Sequence, residues 1–430
     1  MSASLFGMNR IFLCVATVLI VATASYGDAG VRKYSENAIL AGTAVRISVG
    51  VENADIVGRD NRALQAAVDY VAGLGGGVVE IGAGEYLMRD SLHLHSHVTL
   101  RGAGEKTVLK KDASVYSLLA ADGDFGEEAI TVQNSEGFEV GRGVYVGSKQ
   151  AKGFFAICAT LLNGKDNYFR LSKPLNADCM MAAEAFAATV FPVISAYDAE
   201  DYRIESLAVD GNREHNQTTI DGCRGAGIFS YRGDGAAIEN CIVRGYNGDG
   251  ISFQQSNDVQ VLNCLAEGNA GKGFHPGSGS QRPVIRGCKS IGNDDDGFFF
   301  CWRVRNAVVE DNEFRNNKGF GMSIGHKDSD NLVRKNTVVG NAKGGVYWRN
   351  EKDPMAAHRI EFVENTVEDN AEVGLFIDGE TNGTVVRNNT IRDSGKGVQK
   401  VGVKIGANVG EVVLKDNTIR APKEVMDERK

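Results

Sequence analysis

Five side chains in the middle of the 430-residue chain have the types needed to move a proton next to a carboxylate: His275, Arg303, His326, Tyr347 and Arg349. An imidazole titrates near neutral pH and can act as base. A guanidinium can hold a carboxylate through two parallel hydrogen bonds, and a phenol or second imidazole can hand a proton to the leaving oxygen. His275 is read as the base, Arg303 or Arg349 as the clamp, and Tyr347 or His326 as the donor. The aspartates offer a different chemistry. Hydrolysis of a glycosidic bond uses two carboxylates, about 5 Å apart for retention and wider for inversion. Asp234, Asp249, Asp296 and Asp378, with Asp294 and Asp295, are the candidates, and turn formation is the competing reading for all of them.

Aromatic residues lie close in sequence. Phe299, Trp302, Tyr347 and Phe376 either form stacking platforms for a ligand ring or pack beneath a loop. In VDGNREHN, Asp210 and Asn212 suit a turn. Arg213, Glu214 and His215 have less structural reason to be there and are read as lining a groove. His93, His95 and His97 fall on alternate positions of a strand pattern and are read as outward surface histidines. No metal site is expected, and no cofactor is required by the sequence; calcium is compatible with it.

These groups must be held by something, and the chain from Ala236 onward is a repeat. One column reads Cys241, Cys264, Cys288, Asn312, Asn336, Asn365, Asn389 and Asn417; a second reads Asn247, Asn269, Asn293, Asn317, Asn341 and Asn370. Each copy has short apolar stretches separated by Asn/Gly turns, too short for a helix. Stacked copies of this kind make a parallel β-helix, each coil about 4.8 Å from the next. A repeated Asn is expected in a left-handed bend, bonding its amide to the copies above and below. The three cysteines of that column are read as stacked thiols. A third column has glycine at 250, 273, 297, 321, 345, 374 and 402, and alternation from these glycines places Ile251, Phe274, Phe298, Met322, Val346, Leu375 and Val403 inward, and Ser252, His275, Phe299, Ser323, Tyr347, Phe376 and Lys404 outward.

Outside the repeats, residues 60–74 carry apolar residues on one helical face and are expected to cap the first coil. Residues 1–27 have Arg10, an apolar run and small residues, the pattern of an export signal, and imply a secreted, periplasmic or cell-surface protein. Residues 28–59 are read as an extension, 60–420 as one solenoid domain with an irregular segment near 150–200, and 421–430 as a polar tail. The tail offers no apolar cap, so the last coil is expected to be covered by the 150–200 segment or by another subunit in a homo-oligomer. Net charge is −8, which argues against broad nucleic-acid binding. No second membrane segment is present.

The segment from Asn61 to Gly104, ALQAAVDYVAGLGGGVVEIGAGEYLMRDSLHLHSHVTLRGAG, resembles the start of pectate-lyase-3-type domains, and residues 204–420 resemble a generic parallel β-helix region. The chain thus resembles the pectin-lyase-like right-handed β-helix superfamily. The resemblance implies an all-β, right-handed solenoid with three sheets per coil, an N-terminal capping helix and a groove along the stack. It also implies polysaccharide as partner. The D-P-H-E motif of mannuronan epimerases and the full motif series of polygalacturonases are absent. Within that frame the expectation is a lyase cleaving a uronic-acid polymer by β-elimination, with a glycoside hydrolase or transferase, and a non-catalytic carbohydrate-binding or cell-surface protein, as alternatives.

Overall fold

The computed structural model describes residues 45–430. The expected export signal and the first part of the 28–59 extension lie outside the described residues. From Ala237 each coil runs through three short strands, as in Ala237–Glu239, Ile242–Arg244 and Asp249–Gln254, before Gln260–Leu262 begins the next. Turns too tight for a helix separate them, and every strand hydrogen-bonds to its counterpart one coil away. The result is three long parallel sheets, of 13, 11 and 11 strands among the described residues. No coil could bury its own apolar side chains; the stack buries them together.

Register follows the column glycines. Ile251 pairs with Phe274, Phe274 with Phe298, Phe298 with Met322, Met322 with Val346, Val346 with Leu375 and Leu375 with Val403. All are buried in one continuous core. Both asparagine columns form ladders. Asn336 Oδ1 accepts from the Asn312 backbone N–H at 3.1 Å and from its Nδ2 at 2.9 Å, and Asn336 Nδ2 donates to Asn365 Oδ1 at 3.0 Å. Higher in the first column, Cys288 Sγ accepts from the Cys264 N–H and donates to the Val261 carbonyl. The left-handed bend, however, belongs to the preceding residue: Asn240, Asn263, Gly287, Asp311 and Lys335 all have φ between 52° and 66°. That residue makes the corner, which leaves its neighbour's side chain pointing inward to bond along the axis.

The helix Asn61–Gly73 covers the first coil with Leu64, Ala67, Val68 and Val71, and its N-cap Asp60 accepts from Arg62 N and Ala63 N. At Gly77, φ is +149° and a Cβ would lie 2.3 Å from the Val45 carbonyl, so the chain can re-enter the first sheet there only as glycine. Val45–Gly50, part of the expected extension, is already a strand of that sheet.

Between Thr107–Lys111 and Ile194–Tyr197 the stack is interrupted by an antiparallel six-stranded sheet with its own core, including Leu119, Ile130, Val144, Leu161 and Phe169. The irregular segment expected at 150–200 is the second half of this insert. Lys111 ties it to the stack: its buried Nζ donates to the Thr189 carbonyl at 3.0 Å and to Asn216 Oδ1. At the other end Lys423–Asp427 pairs with Val401–Ile405. The polar tail is thus the last strand of the third sheet. The contacts described for the insert reach along the stack only as far as Trp302, so it does not shield the final coil.

Candidate functional site

The outward face of the third sheet carries Ser252 beside His275 on adjacent strands and, further along, Phe299, Ser323, Tyr347, Phe376 and Lys404 in register. His275 does not meet solvent: it is 3% exposed. Its Nδ1 lies 2.6 Å from Asp249 Oδ2 on the preceding strand. Its Nε2 is buried without a hydrogen-bond partner. A ring nitrogen of His275 and the Sγ atoms of Cys223 and Cys301 all lie within 4.8 Å of one another. Since Nδ1 is occupied by Asp249, Nε2 is the nitrogen left for the thiols.

The local chain explains how two cysteines distant in sequence meet. Asp221 Oδ1 accepts from the Cys223 N–H at 2.8 Å, fixing a tight turn, and Arg224 Nε donates to the Phe154 carbonyl of the insert at 2.9 Å. Gly222 passes so close to the dyad that a Cβ there would lie 1.8 Å from Asp249 Oδ2 and 2.4 Å from His275 Nδ1. Cys301 follows the strand Phe298–Phe299 and bridges to Gly277. The chain then turns through Trp302 and Arg303, both left-handed at φ 58° and 65°, and the next coil does the same at His326 and Lys327. A left-handed tryptophan is uncommon, and here it leaves Trp302 40% exposed with its ring 5.7 Å from that of His326.

His326 flanks Cys301 from the following coil. Its Nε2 is 2.8 Å from Glu351 Oε1, and Arg349 Nη2 is 3.3 Å from its Nδ1. The electrostatics are mutually reinforcing. Burial pulls the His275 imidazolium down, but the hydrogen bond to Asp249 and the neighbouring Cys301 sulfur outweigh it and lift it to about 9. For His326 burial is again outweighed, by Cys301 and Glu351, and it too reaches about 9. The Cys223 thiol, against the opposing effect of burial, and then the two histidines hold the Cys301 thiol below its usual value. Cys223 is pushed up by Cys301 and by burial. The arrangement sets the Cys301 thiol group between two imidazoles, with a carboxylate behind one and a second thiol alongside.

The structure brings together His275, His326 and Arg349 of the five proton-transfer candidates, but not in the expected roles. His275 is closed off from solvent. Arg349 donates to Ser323 Oγ at 2.9 Å and the Phe300 carbonyl at 2.8 Å, with Asp328 Oδ2 at 3.4 Å, so its guanidinium is internal. Arg303 is exposed, with its guanidinium 5.7 Å from the centre of the Trp302 ring. The Tyr347 hydroxyl accepts from Asn350 N–H, and its ring lies between Phe320 at 4.8 Å and Phe376 at 5.3 Å. These rings face one another along the stack, and Lys404 covers the far face of the ladder near Phe376. Both faces of each ring are thus taken, so neither Tyr347 nor Phe376 offers an open face as a platform. Phe299 is likewise engaged, by Arg349, Lys272 and the edge of His275. Trp302 alone among the four keeps a large open surface.

The aspartates are occupied individually. Asp234 accepts from the Asn257 N–H, Asp249 holds His275, Asp296 Oδ1 accepts from the Phe320 N–H, and Asp378 accepts from the Gly379 N–H. Arg213 bonds the Gly268 carbonyl and Asp294 at a corner between sheets, His215 Nδ1 bonds Asn212, and Glu214 is exposed. His93 and His95 bond separate aspartates, Asp90 and Asp69. Sequence reasoning missed Cys223, Cys301 and Glu351. The usable signal was that Cys223 and Cys301 fall outside the repeat column that explains the other stacked thiols.

This fold is the right-handed parallel β-helix of pectin-lyase-like proteins. Residues 207–355 match the family model described as "Right handed beta helix region". No curated protein sequence matches the chain significantly. Among solved structures, it is similar to the Azotobacter vinelandii mannuronan C-5 epimerase AlgE4 A-module, with 17% identity, 89% of this chain and 100% of that chain covered, and a TM-score of 0.54. It is similar to a hyperthermoactive exopolygalacturonase from Thermotoga maritima at 13% identity, with 87% and 94% covered and a TM-score of 0.54. The Streptococcus pneumoniae surface protein and adhesin PfbA aligns at 14% identity over 90% and 100%, again with a TM-score of 0.54. At these identities the likeness concerns the fold. No helix among the described residues is long and apolar enough to cross a membrane.

Proposed function

We propose that the chain is an exported enzyme that acts on an acidic polysaccharide, cleaving at a uronic-acid residue by β-elimination. The observation that carries this reading is that exposed Trp302 and Arg303 directly follow Cys301 of the buried thiol–imidazole cluster, with the Trp302 ring 5.7 Å from that of His326. Trp302 offers a sugar ring an apolar surface, and Arg303 is free to hold a uronate carboxylate. His326, protonated at neutral pH and backed by Glu351, is the acid for the leaving oxygen. The similarity in fold to an epimerase and an exopolygalacturonase supports a saccharide substrate, and the acidic overall charge is compatible with a local cationic mouth.

The test is incubation with pectate, alginate, heparinoid and ulvan-type polymers, with and without calcium, reading the absorbance of the unsaturated product. A rise on one of them is expected. Reducing ends without that absorbance indicate a hydrolase, and no change with any polymer removes the catalytic reading.

A further inference from the structure

We propose that Cys223, His275 and Cys301 form a binding site for one thiophilic metal ion of the zinc type. The inference is independent of the polysaccharide reading. Three observations carry it. The three ligand atoms lie within 4.8 Å of one another, and modest inward movement brings them to the roughly 3.3–3.8 Å that separates the ligands of a tetrahedral ion with bonds of about 2.0–2.3 Å. All three residues are buried, at 8%, 3% and 5% exposure. The His275 Nε2, the ring nitrogen that Asp249 leaves open, is buried and has no hydrogen-bond partner. A buried polar atom without a partner is destabilising, and a metal ion supplies the missing interaction.

The surroundings fit the same occupant. Asp249 bonds His275 Nδ1 at 2.6 Å, as carboxylates do behind metal-bound histidines, fixing the tautomer that leaves Nε2 to bind the ion. Two thiolates balance a divalent charge, and the Asp249 carboxylate is answered by Lys272 across the corner. Thiolate and imidazole together select zinc-type or cuprous ions over calcium, which takes oxygen ligands. Three protein ligands leave a fourth position for water or substrate. That is the open coordination of reactive zinc sites rather than the closed shell of structural ones.

The test uses the full reduced chain, stripped of metal and titrated with Zn²⁺ and with Co²⁺ as the optical probe. One equivalent is expected to bind, with Co²⁺ giving near-ultraviolet thiolate charge-transfer and visible d–d absorption. Cys301→Ser or Cys223→Ser abolishes the charge-transfer band or cuts it by about half, Asp249→Asn weakens binding roughly 10–100-fold, and Cys179→Ser in the insert leaves it unchanged. Should the first variants fail to fold, metal protection of Cys223 and Cys301 from alkylation in the wild-type chain, mapped by mass spectrometry, decides the matter. Absence of binding by the folded wild type overturns the proposal. So do unchanged binding in folded Cys301→Ser, loss in Cys179→Ser, equal alkylation with and without metal, or a Cys223–Cys301 disulfide that reductant does not open to metal.

Discussion

His326 is the most exposed ionisable member of the cluster. If it supplies the proton to the leaving group, His326→Ala lowers kcat on the responsive polymer by roughly 10²–10⁴-fold, while Arg303→Ala chiefly raises KM. Steady-state kinetics of the two variants separates the roles. Asp296 gives a test that does not depend on activity. Burial, with Asp295 adding to it, raises its carboxyl to about 6. A group raised above its unfolded value of 3.8 contributes stability below that value and loses it as pH rises through about 6. At pH 7.5 its ionised form opposes folding, by an amount on the order of 3 kcal/mol. Asp296→Asn keeps the acceptor for the Phe320 N–H, so it is expected to raise stability at pH 7.5 by about 2–3 kcal/mol and flatten the decline between pH 4 and 7 in urea titrations. The same variant leaves turnover unchanged, since Asp296 serves a turn. At Gly222 an added methyl would collide with Asp249 and His275. Gly222→Ala should cost about 1–3 kcal/mol, whereas Gly73→Ala, with open space around its Cβ, gains up to about 1 kcal/mol.

Among the elements, the ladders show what periodicity reveals and what it hides. The recurring Asn and Cys identified the columns, and the recurring glycines the inward face of the third sheet, because a repeated residue must solve a repeated problem. The corner residue one place earlier was not legible: Asn240, Asp311 and Lys335 share a backbone angle but not a side chain. His275 was found by alternation. Its partners were not, because Cys223 sits in a turn fixed by Asp221 and meets Cys301 only through the three-dimensional winding. The insert was obscure for the opposite reason: antiparallel strands of unequal length leave no period to read. The ladder itself is open to measurement. Asn336→Ala strips a partner from the buried Asn312 N–H and the Val309 carbonyl, each loss costing about 1–3 kcal/mol. A fall of roughly 3 kcal/mol in urea unfolding is expected, with the two neighbouring coils losing hydrogen-exchange protection first.

On the scale of the whole molecule, stability passes from coil to coil through nearest-neighbour sheets. The helix Asn61–Gly73 closes one end, and the final strand Lys423–Asp427 forms the other edge of the third sheet. Truncation after Arg420 therefore removes a strand rather than a loose tail. It bares Val401–Ile405, an unpaired edge prone to association. Greater mass by light scattering, or faster proteolysis of the last coils at low concentration, is expected; a truncated chain with unchanged mass and protease resistance would show that this edge contributes nothing.

The cluster also constrains how such a protein can change over evolutionary time. Solenoids diversify by duplicating or deleting whole coils, and the repetitive C-terminal coils could gain or lose copies at little cost to their neighbours. Cys223, Asp249, His275, Cys301 and His326, by contrast, sit on successive windings, and Glu351 backs His326 from the next. One duplicated coil anywhere inside 223–351 would push the two sides apart by about 4.8 Å, more than a hydrogen bond or a metal–ligand bond can span. Descendants of this architecture that keep the centre are thus free to vary in length only outside it, and copy number within that interval should be as invariant as the cysteines themselves.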